Sequence, residues 1–563
     1  MLTRFRPRSL DILHNYSKSQ LMADITAGMS VGIVALPLAM AFAIASGLTP
    51  AAGLTTAIIA GFLISLLGGS KVQIGGPAGA FIVVVYAIVQ QYGLGNLLLA
   101  TMLAGVFMFL LGLLGLGALV RHIPVSIVIG FTNGIAALIA LSQLNDFFGL
   151  NIDHLPAEFF SKTKAIGLAL PHIHLATLSI GVFSLAILII WPKIARHLPA
   201  GLKQIPGSMI ALLAGTLLSQ WPELNVATIG SRFGDIPSQL PTPAFPQFTW
   251  HSLAAIIQPA LTIAVLGAIE SLLCARIADG LINDRHDPNQ ELMAQGIANF
   301  VSPLFGGFCA TGTIARTVTN INSGASSPVS GMVHALSILL IMAIAAPFAK
   351  LIPLSTLAAV LLYVAWNMGE WAEFRRLQHF TGNYRTILLS TFILTVVVDL
   401  TVAMEVGLLL ACVFFITRVS SLTHLKKVKL PEHLKADPIE AWSIHGSLFF
   451  GSIAKIESLL DPHKIQPDLL ILDLSSLLNM DTTGLEALET LQQQLHHQGA
   501  CLIICGAGIQ PHSLIHRSGF YQHLGAEFLL PDLQSAWQLA DHLSQKKHAD
   551  HQENCEKTHH HNV

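Results

Sequence analysis

Charge is scarce in this sequence. Only 11% of its 563 residues are Asp, Glu, Lys or Arg, against roughly 25% in soluble domains, while 53% are hydrophobic and the mean hydropathy is +0.62. That much apolar chain does not fit inside a water-soluble core, so an ordinary soluble protein is excluded. A basic excess is missing as well: 30 Lys and Arg stand against 32 Asp and Glu, a formal net charge of −2, with nothing to draw nucleic acid. The six cysteines, Cys274, Cys309, Cys412, Cys501, Cys505 and Cys555, show neither CxxC spacing nor a secreted framework. Reduced thiols are expected, with no metal site. No nucleophile–base set stands out, so an enzyme is the least favoured class and no cofactor is expected. No small-residue cleavage site follows the first apolar segment after Arg4, Arg6, Arg8 and Lys18, which argues against a cleaved signal peptide.

What the chain does have is a series of apolar runs between residues 25 and 420, with a soluble pattern beyond them. Spans are expected near 25–46, 53–69, 76–90, 96–118, 122–144, 175–191, 205–220, 253–278, 291–306, 312–322, 327–349, 353–368, 383–398 and 400–417, about fourteen in all. Alternating loops from a cytoplasmic N-terminus (residues 1–24) put most Lys and Arg inside, from Arg4 through Lys71, Arg276 and Arg285 to Arg418. Only Lys162, Lys164, Arg232 and Lys350 fall outside. This skew is the signal that orients insertion, so both termini are expected in the cytoplasm.

Two short segments recur at matching places. One opens Gly75-Gly76-Pro77-Ala78-Gly79-Ala80 as the third span, the other Thr311-Gly312-Thr313-Ile314-Ala315-Arg316 as the third of the second seven. Seven spans per half make the second half inverted, and interrupted spans at matching positions of inverted repeats point to a transporter site at the bilayer midplane. A helix beginning there offers free N–H groups and the positive end of its dipole to an anion. Close helix packing by small residues is the competing explanation.

Glu270 sits well inside a span, where a carboxylate needs a cavity or a partner. It is the expected proton-coupling group, the bland alternative being a structural carboxylate held by N–H donors. Arg316 adds a fixed positive charge one turn into the second half-helix and suits an oxyanion, or else pairs with a carboxylate between helices. Phe42 could present a positive ring edge, though packing is the ordinary role of such a residue. Asp399 is expected as a turn or cap residue, with Glu405 nearby.

The run Ser30 to Gly47, the Gly76-Pro77 segment, Gly267-Ala268-Ile269-Glu270-Ser271 and Ala310 to Thr317 together resemble the sulfate permease (SulP) anion transporter family. The resemblance implies an α-helical membrane protein of two inverted seven-span repeats, an elevator with core and gate domains, assembled as a homodimer. It places the site between the third and tenth spans, lined by the first and eighth. Phe42, Ala78, Gly79, Ala315 and Arg316 then fall on substrate positions beside Gly76 and Thr313, and Glu270 on the acidic coupling position. Sodium-coupled bicarbonate members have Asp there and Thr four residues on; Glu270 and Cys274 favour protons. The stretches Glu270 to Cys274 and Leu362 to Met368 look most like the enterobacterial C4-dicarboxylate transporter, while sulfate is the family's default substrate.

From residue 437 to 545 short apolar strands alternate with polar helices: Trp442 to Phe450, Leu469 to Leu474 and Ala500 to Cys505 read as strands, Thr482 to His497 and Pro511 to Ser518 as helices. The order resembles a STAS domain, a small α/β fold shared with anti-sigma-factor antagonists. Asp481-Thr482-Thr483-Gly484 occupies the loop that carries a phosphorylatable hydroxyl in those antagonists, which makes Thr482 and Thr483 candidate regulatory residues and the domain a candidate docking point for a cytoplasmic partner. Capping of the next helix explains the loop equally well. Cys501 and Cys505 should face one side of their strand. Residues 546–563, with His559, His560 and His561, read as a disordered polar tail.

The resulting expectation is a secondary transporter in a bacterial inner membrane, moving an oxyanion, sulfate first, with protons. A C4-dicarboxylate or bicarbonate carrier is the near alternative. A passive anion channel and a regulatory scaffold are the alternatives of another class.

Overall fold

The computed structural model describes residues 5–559 apart from 13–15, 119–122, 153–154, 196, 198–205, 222–223, 236, 247–249, 399, 436–437 and 461–466. Asp399 lies outside the described residues. The chain divides into two compact units, Met1–Leu408 and Leu409–Val563.

The first unit is helical: α1 (Lys18–Ala45), α2 (Pro50–Leu67), the two-residue strand β1 (Gly75–Gly76), α3 (Ile82–Leu113), α4 (Val125–Phe148), α5 (Leu175–Ala195), α6 (Gly207–Ser219), α7 (Trp250–Ile282), α8 (Pro288–Val301), strand β2 (Thr311–Gly312), α9 (Ile314–Asn322), α10 (Val329–Ala349), α11 (Leu354–Met368), α12 (Gly382–Val397) and α13 (Leu400–Leu422), the last continuing into the second unit. Each expected span falls on a helix or on part of one. The third and fourth are joined as α3, which breaks direction at Gly93, where φ is +81° and the left-handed backbone favours glycine. The first begins earlier than expected, because Ser17 and Gln20 form a capping box ahead of Lys18. Among the described residues, eight helices are long and apolar enough to cross a membrane by length and composition.

The helices sort into two bundles. In one, α8 packs on α3 and α2, α10 on α1 and α2, and α7 on α3; in the other, α12 and α11 pack on α4 and α5 on α6. The first four and the eighth to eleventh spans are thus one body and the remainder another, the division that two interleaved inverted repeats produce. Small residues make the close crossings: a Cβ on Gly105 would lie 2.6 Å from the Gly296 carbonyl oxygen and the reverse holds at the same distance, while a Cβ on Gly28 would lie 2.3 Å from the Ser330 oxygen. Without a hydrophobic drive between helices in lipid, such backbone approach supplies the packing.

Beyond α13 lies a sheet of six strands: β3 (His424–Lys427), β4 (Ile439–Leu448), β5 (Leu469–Asp473), β6 (Leu477–Met480), β7 (Cys501–Cys505) and β8 (Leu529–Leu530). Its order is β3-β4-β5-β7-β8, with β6 beside β4; only β3 is antiparallel. The helices α14 (Thr482–His497), α15 (Ile509–Arg517) and α16 (Leu533–His559) flank it. Leu470 and Leu472 pack with Leu488 and Leu491 on one face, and Ile471 and Ile503 with Ala536 and Ala540 on the other. Two features depart from the sequence reading. The sheet starts at His424 rather than after 437, because the polar strand His-Leu-Lys-Lys carries no apolar alternation. Residues 546–559 extend α16, where disorder was expected, and Ala, Gln, Glu and Lys there are good helix formers. Cys501 is exposed at the strand's start while Cys505 is buried, its thiol pushed up to about 12 by burial.

Candidate functional site

The two matched segments meet. Gly75 pairs with Gly312 and Gly76 with Thr311 in an antiparallel bridge that joins the halves of the chain. Around it, the Thr313 backbone N–H and hydroxyl both donate to the Ile74 carbonyl, at 2.9 and 3.0 Å, and the Ile74 N–H donates to Thr317 Oγ1 at 3.0 Å. Asn320 Nδ2 donates to the Val72 carbonyl at 2.9 Å, and Thr311 Oγ1 to the Gly267 carbonyl on α7 at 2.9 Å. These bonds satisfy the extended backbone between apolar helices, where open strand edges are not tolerated.

From this bridge the helices leave in opposite directions, one through a turn at Gly79–Phe81 into α3, the other as α9. Neither start has a side-chain cap: Ala78 and Thr313 occupy the cap positions with no capping bond. The first N–H groups of each helix have no capping side chain. A cavity of about 1310 Å³ reaches these starts, lined there by Phe42, Ala78, Gly79, Thr313, Ala315 and Arg316, with Glu270 on its α7 wall. It extends to Asn283 and His286 in the α7–α8 connection.

Arg316 is 1% exposed and neither of its terminal nitrogens has a partner, so the helix-to-helix ion pair weighed from the sequence is not formed among the described residues. Its guanidinium carbon lies 5.9 Å from the Phe42 ring centroid, so Phe42 presents its face to the arginine. A Cβ on Gly76 would sit 2.6 Å from Arg316 Nη1, and one on Gly79 3.6 Å from Phe42 Cε1. Glycine at position 76 leaves room for the guanidinium, whereas at position 79 a Cβ would meet only ordinary contacts. Glu270 is half-buried. Cys274, one turn along α7, donates to Thr317 Oγ1 at 3.3 Å. An unpaired guanidinium beside two uncapped helix starts suits an oxyanion.

All seven substrate candidates therefore surround one locus, with Glu270 on the same cavity. The sequence reading passes over the polar groups behind it: Gln73, Ser271, Glu291, Asn299, Asn320 and His334, the last fully buried with both ring nitrogens unpartnered. The available signal was polar residues at helical spacing inside apolar spans. In the second unit Asp481 caps α14 through a 2.8 Å bond from the Gly484 N–H, with Thr482 exposed and Thr483 half-buried beside it. Glu405 is exposed on α13.

Residues 21–391 match the model of the sulfate permease family, and residues 436–536 that of the STAS domain. A Bacillus subtilis chain, YvdB, provisionally named a sulfate transporter, is 41% identical across 91% of this chain and 96% of its own length. The bicarbonate transporter BicA of Picosynechococcus is 31% identical over 71% of each chain. Among solved structures, the transmembrane domain of a cyanobacterial BicA superposes with a TM-score of 0.62 at 30% identity, over 69% of this chain and 98% of that one. SLC26A9 shares the fold with a TM-score of 0.82 at 19% identity, over 95% of this chain and 92% of that one. With the inverted halves, the bridged half-helices and the terminal sheet, these matches establish that the chain belongs to the sulfate permease family and ends in a STAS domain.

Proposed function

We propose that this protein is a secondary active transporter of an oxyanion, sulfate first, driven by protons through Glu270. The observation that carries the reading is the cavity that ends on two uncapped helix starts beside the unpaired guanidinium of Arg316. A divalent oxyanion there would accept from backbone N–H groups of both halves and from Arg316 at once. Glu270, on the wall of the same cavity, is placed to gain a proton as the anion binds. The YvdB match supports sulfate and the BicA matches bring bicarbonate, with a C4-dicarboxylate as the third candidate. Cys274, where sodium-coupled members carry Thr, supports protons over sodium. The reading includes a homodimer in a bacterial inner membrane with both termini cytoplasmic, and a cytoplasmic partner of the STAS domain acting near Thr482 and Thr483.

Uptake of labelled sulfate, succinate and bicarbonate into proteoliposomes, with and without an inward proton gradient and with and without sodium, tests it. Sulfate accumulation that requires the proton gradient, and loses that requirement in Glu270→Gln, is the expected result. Succinate accumulation without sulfate transfers the site to dicarboxylates, and movement only down the anion's own gradient makes the protein a channel.

A further inference from the structure

Helix α8 carries a polar ladder, Glu291, Gln295 and Asn299, at four-residue spacing and with at most 1% exposure. A carboxylate so buried persists only if donors replace its water. Four do. Its Oε2 accepts from the Gly69 and Ser70 backbone N–H groups at 2.9 and 3.2 Å, and its Oε1 from Ser271 Oγ at 3.3 Å and Gln295 Nε2 at 3.1 Å.

Each partner leads to the site. Gly69 and Ser70 belong to the segment that runs into β1. Ser271 follows Glu270 on α7 and accepts from Gln73 Nε2 at 3.0 Å. The Gln73 amide in turn presses on β2: a Cβ on Gly312 would lie 1.7 Å from its Nε2. Two turns along α8, Asn299 Oδ1 accepts from the Ala310 N–H at 2.8 Å while its Nδ2 donates to the Ala310 carbonyl at 2.9 Å, fixing the residue that enters β2. Glu291 and Asn299 are separated by about 12 Å along one helix. The mutual approach of Gly105 and Gly296 locks that helix to α3. None of the three ladder residues lines the cavity.

We propose that Glu291 and Asn299 are positioning residues for the anion site: α8 acts as a ruler that holds the lead-ins of both half-helices, Glu291 through Ser271 and Gln73, Asn299 through Ala310. This rests on the transporter reading above. An anion basket assembled from two chain segments has an affinity set by the spacing of its halves, and loosening either lead-in misplaces N–H donors without removing one.

The test compares Ser271→Ala, Glu291→Ala, Asn299→Ala and the Ser271→Ala/Glu291→Ala pair in proteoliposomes, with amounts normalised to folded protein. Ser271→Ala is the mildest change and guards against loss of Glu291→Ala to misfolding. The KM for sulfate should rise about tenfold or more in each single variant with kcat nearly unchanged, and the pair should be no worse than Glu291→Ala alone, as for residues acting in series. Hydrogen exchange followed by mass spectrometry supplies a readout that needs no transport: peptides covering 69–76 and 310–313 should exchange faster in the variants, with α4 and α12 unchanged. Unchanged KM with fewer active molecules, additive losses in the pair, or exchange raised evenly along the chain would overturn the proposal. If the unmodified protein moves no anion, the transporter reading fails, and the exchange pattern alone decides whether α8 holds the two lead-ins.

Discussion

At the scale of single residues, the site depends on what is left out as much as on what is present. Gly76→Ala would drive a Cβ to within 2.6 Å of Arg316 Nη1, and a long side chain's tip can yield where backbone cannot. Gly76 also holds φ at +154°, which a residue with a side chain rarely adopts, so the variant should melt at a lower temperature and, with the guanidinium displaced, show a sulfate KM raised roughly tenfold in radiolabel uptake. Asp284, outside the spans, shows a different dependence. Partial burial would raise its pKa, but the Lys71 ammonium at 2.9 Å and Arg8 at 3.2 Å outweigh that and hold it below the ordinary carboxylate value. A depressed folded value means its stabilisation is complete above the unfolded pKa of about 3.9 and is lost as pH falls through the folded one. Thermal melts between pH 5 and pH 3 should accordingly fall less steeply for Asp284→Asn than for the unmodified chain.

At the scale of elements, periodicity and length reveal the helices, and glycine and proline the interrupted ones. Thr482–His497 appears within the bounds the sequence suggests, since Asp481 caps its start. The bridge between Gly75–Gly76 and Thr311–Gly312 is legible only as two matched motifs; its pairing depends on contacts made across more than two hundred residues. Nor could apolar patterning disclose the Glu291 ladder, because a polar residue in a span advertises a need for partners without naming them. His424–Lys427 was hidden for the opposite reason, a strand held by its neighbour β4 rather than by its own side chains. The α3–α8 crossing carries an element-scale prediction. Gly296→Ala inserts a Cβ 2.6 Å from the Gly105 oxygen, with backbone on both sides, and should cost about 1–3 kcal/mol, visible as a lower melting temperature in detergent.

At the scale of the whole molecule, the chain is a multi-pass membrane protein with a second, sheet-containing unit after it. The register of β3 on β4, from His424 with His445 to Lys427 with Trp442, makes the strand part of that sheet. A fragment beginning at residue 423 should melt cooperatively and stay monodisperse, whereas one beginning at 437 leaves the β4 edge bare and should aggregate, as light scattering would record. The β1–β2 bridge also has a consequence for biosynthesis. Ile74 finds its hydrogen-bond partners at Thr313 and Thr317, so the third span cannot complete its bonding until the tenth has left the ribosome. The first half must wait with its strand unpaired until residues 311–317 are made, and the packing of α10 on α1 and α2 and of α11 and α12 on α4 becomes available only after that bridge.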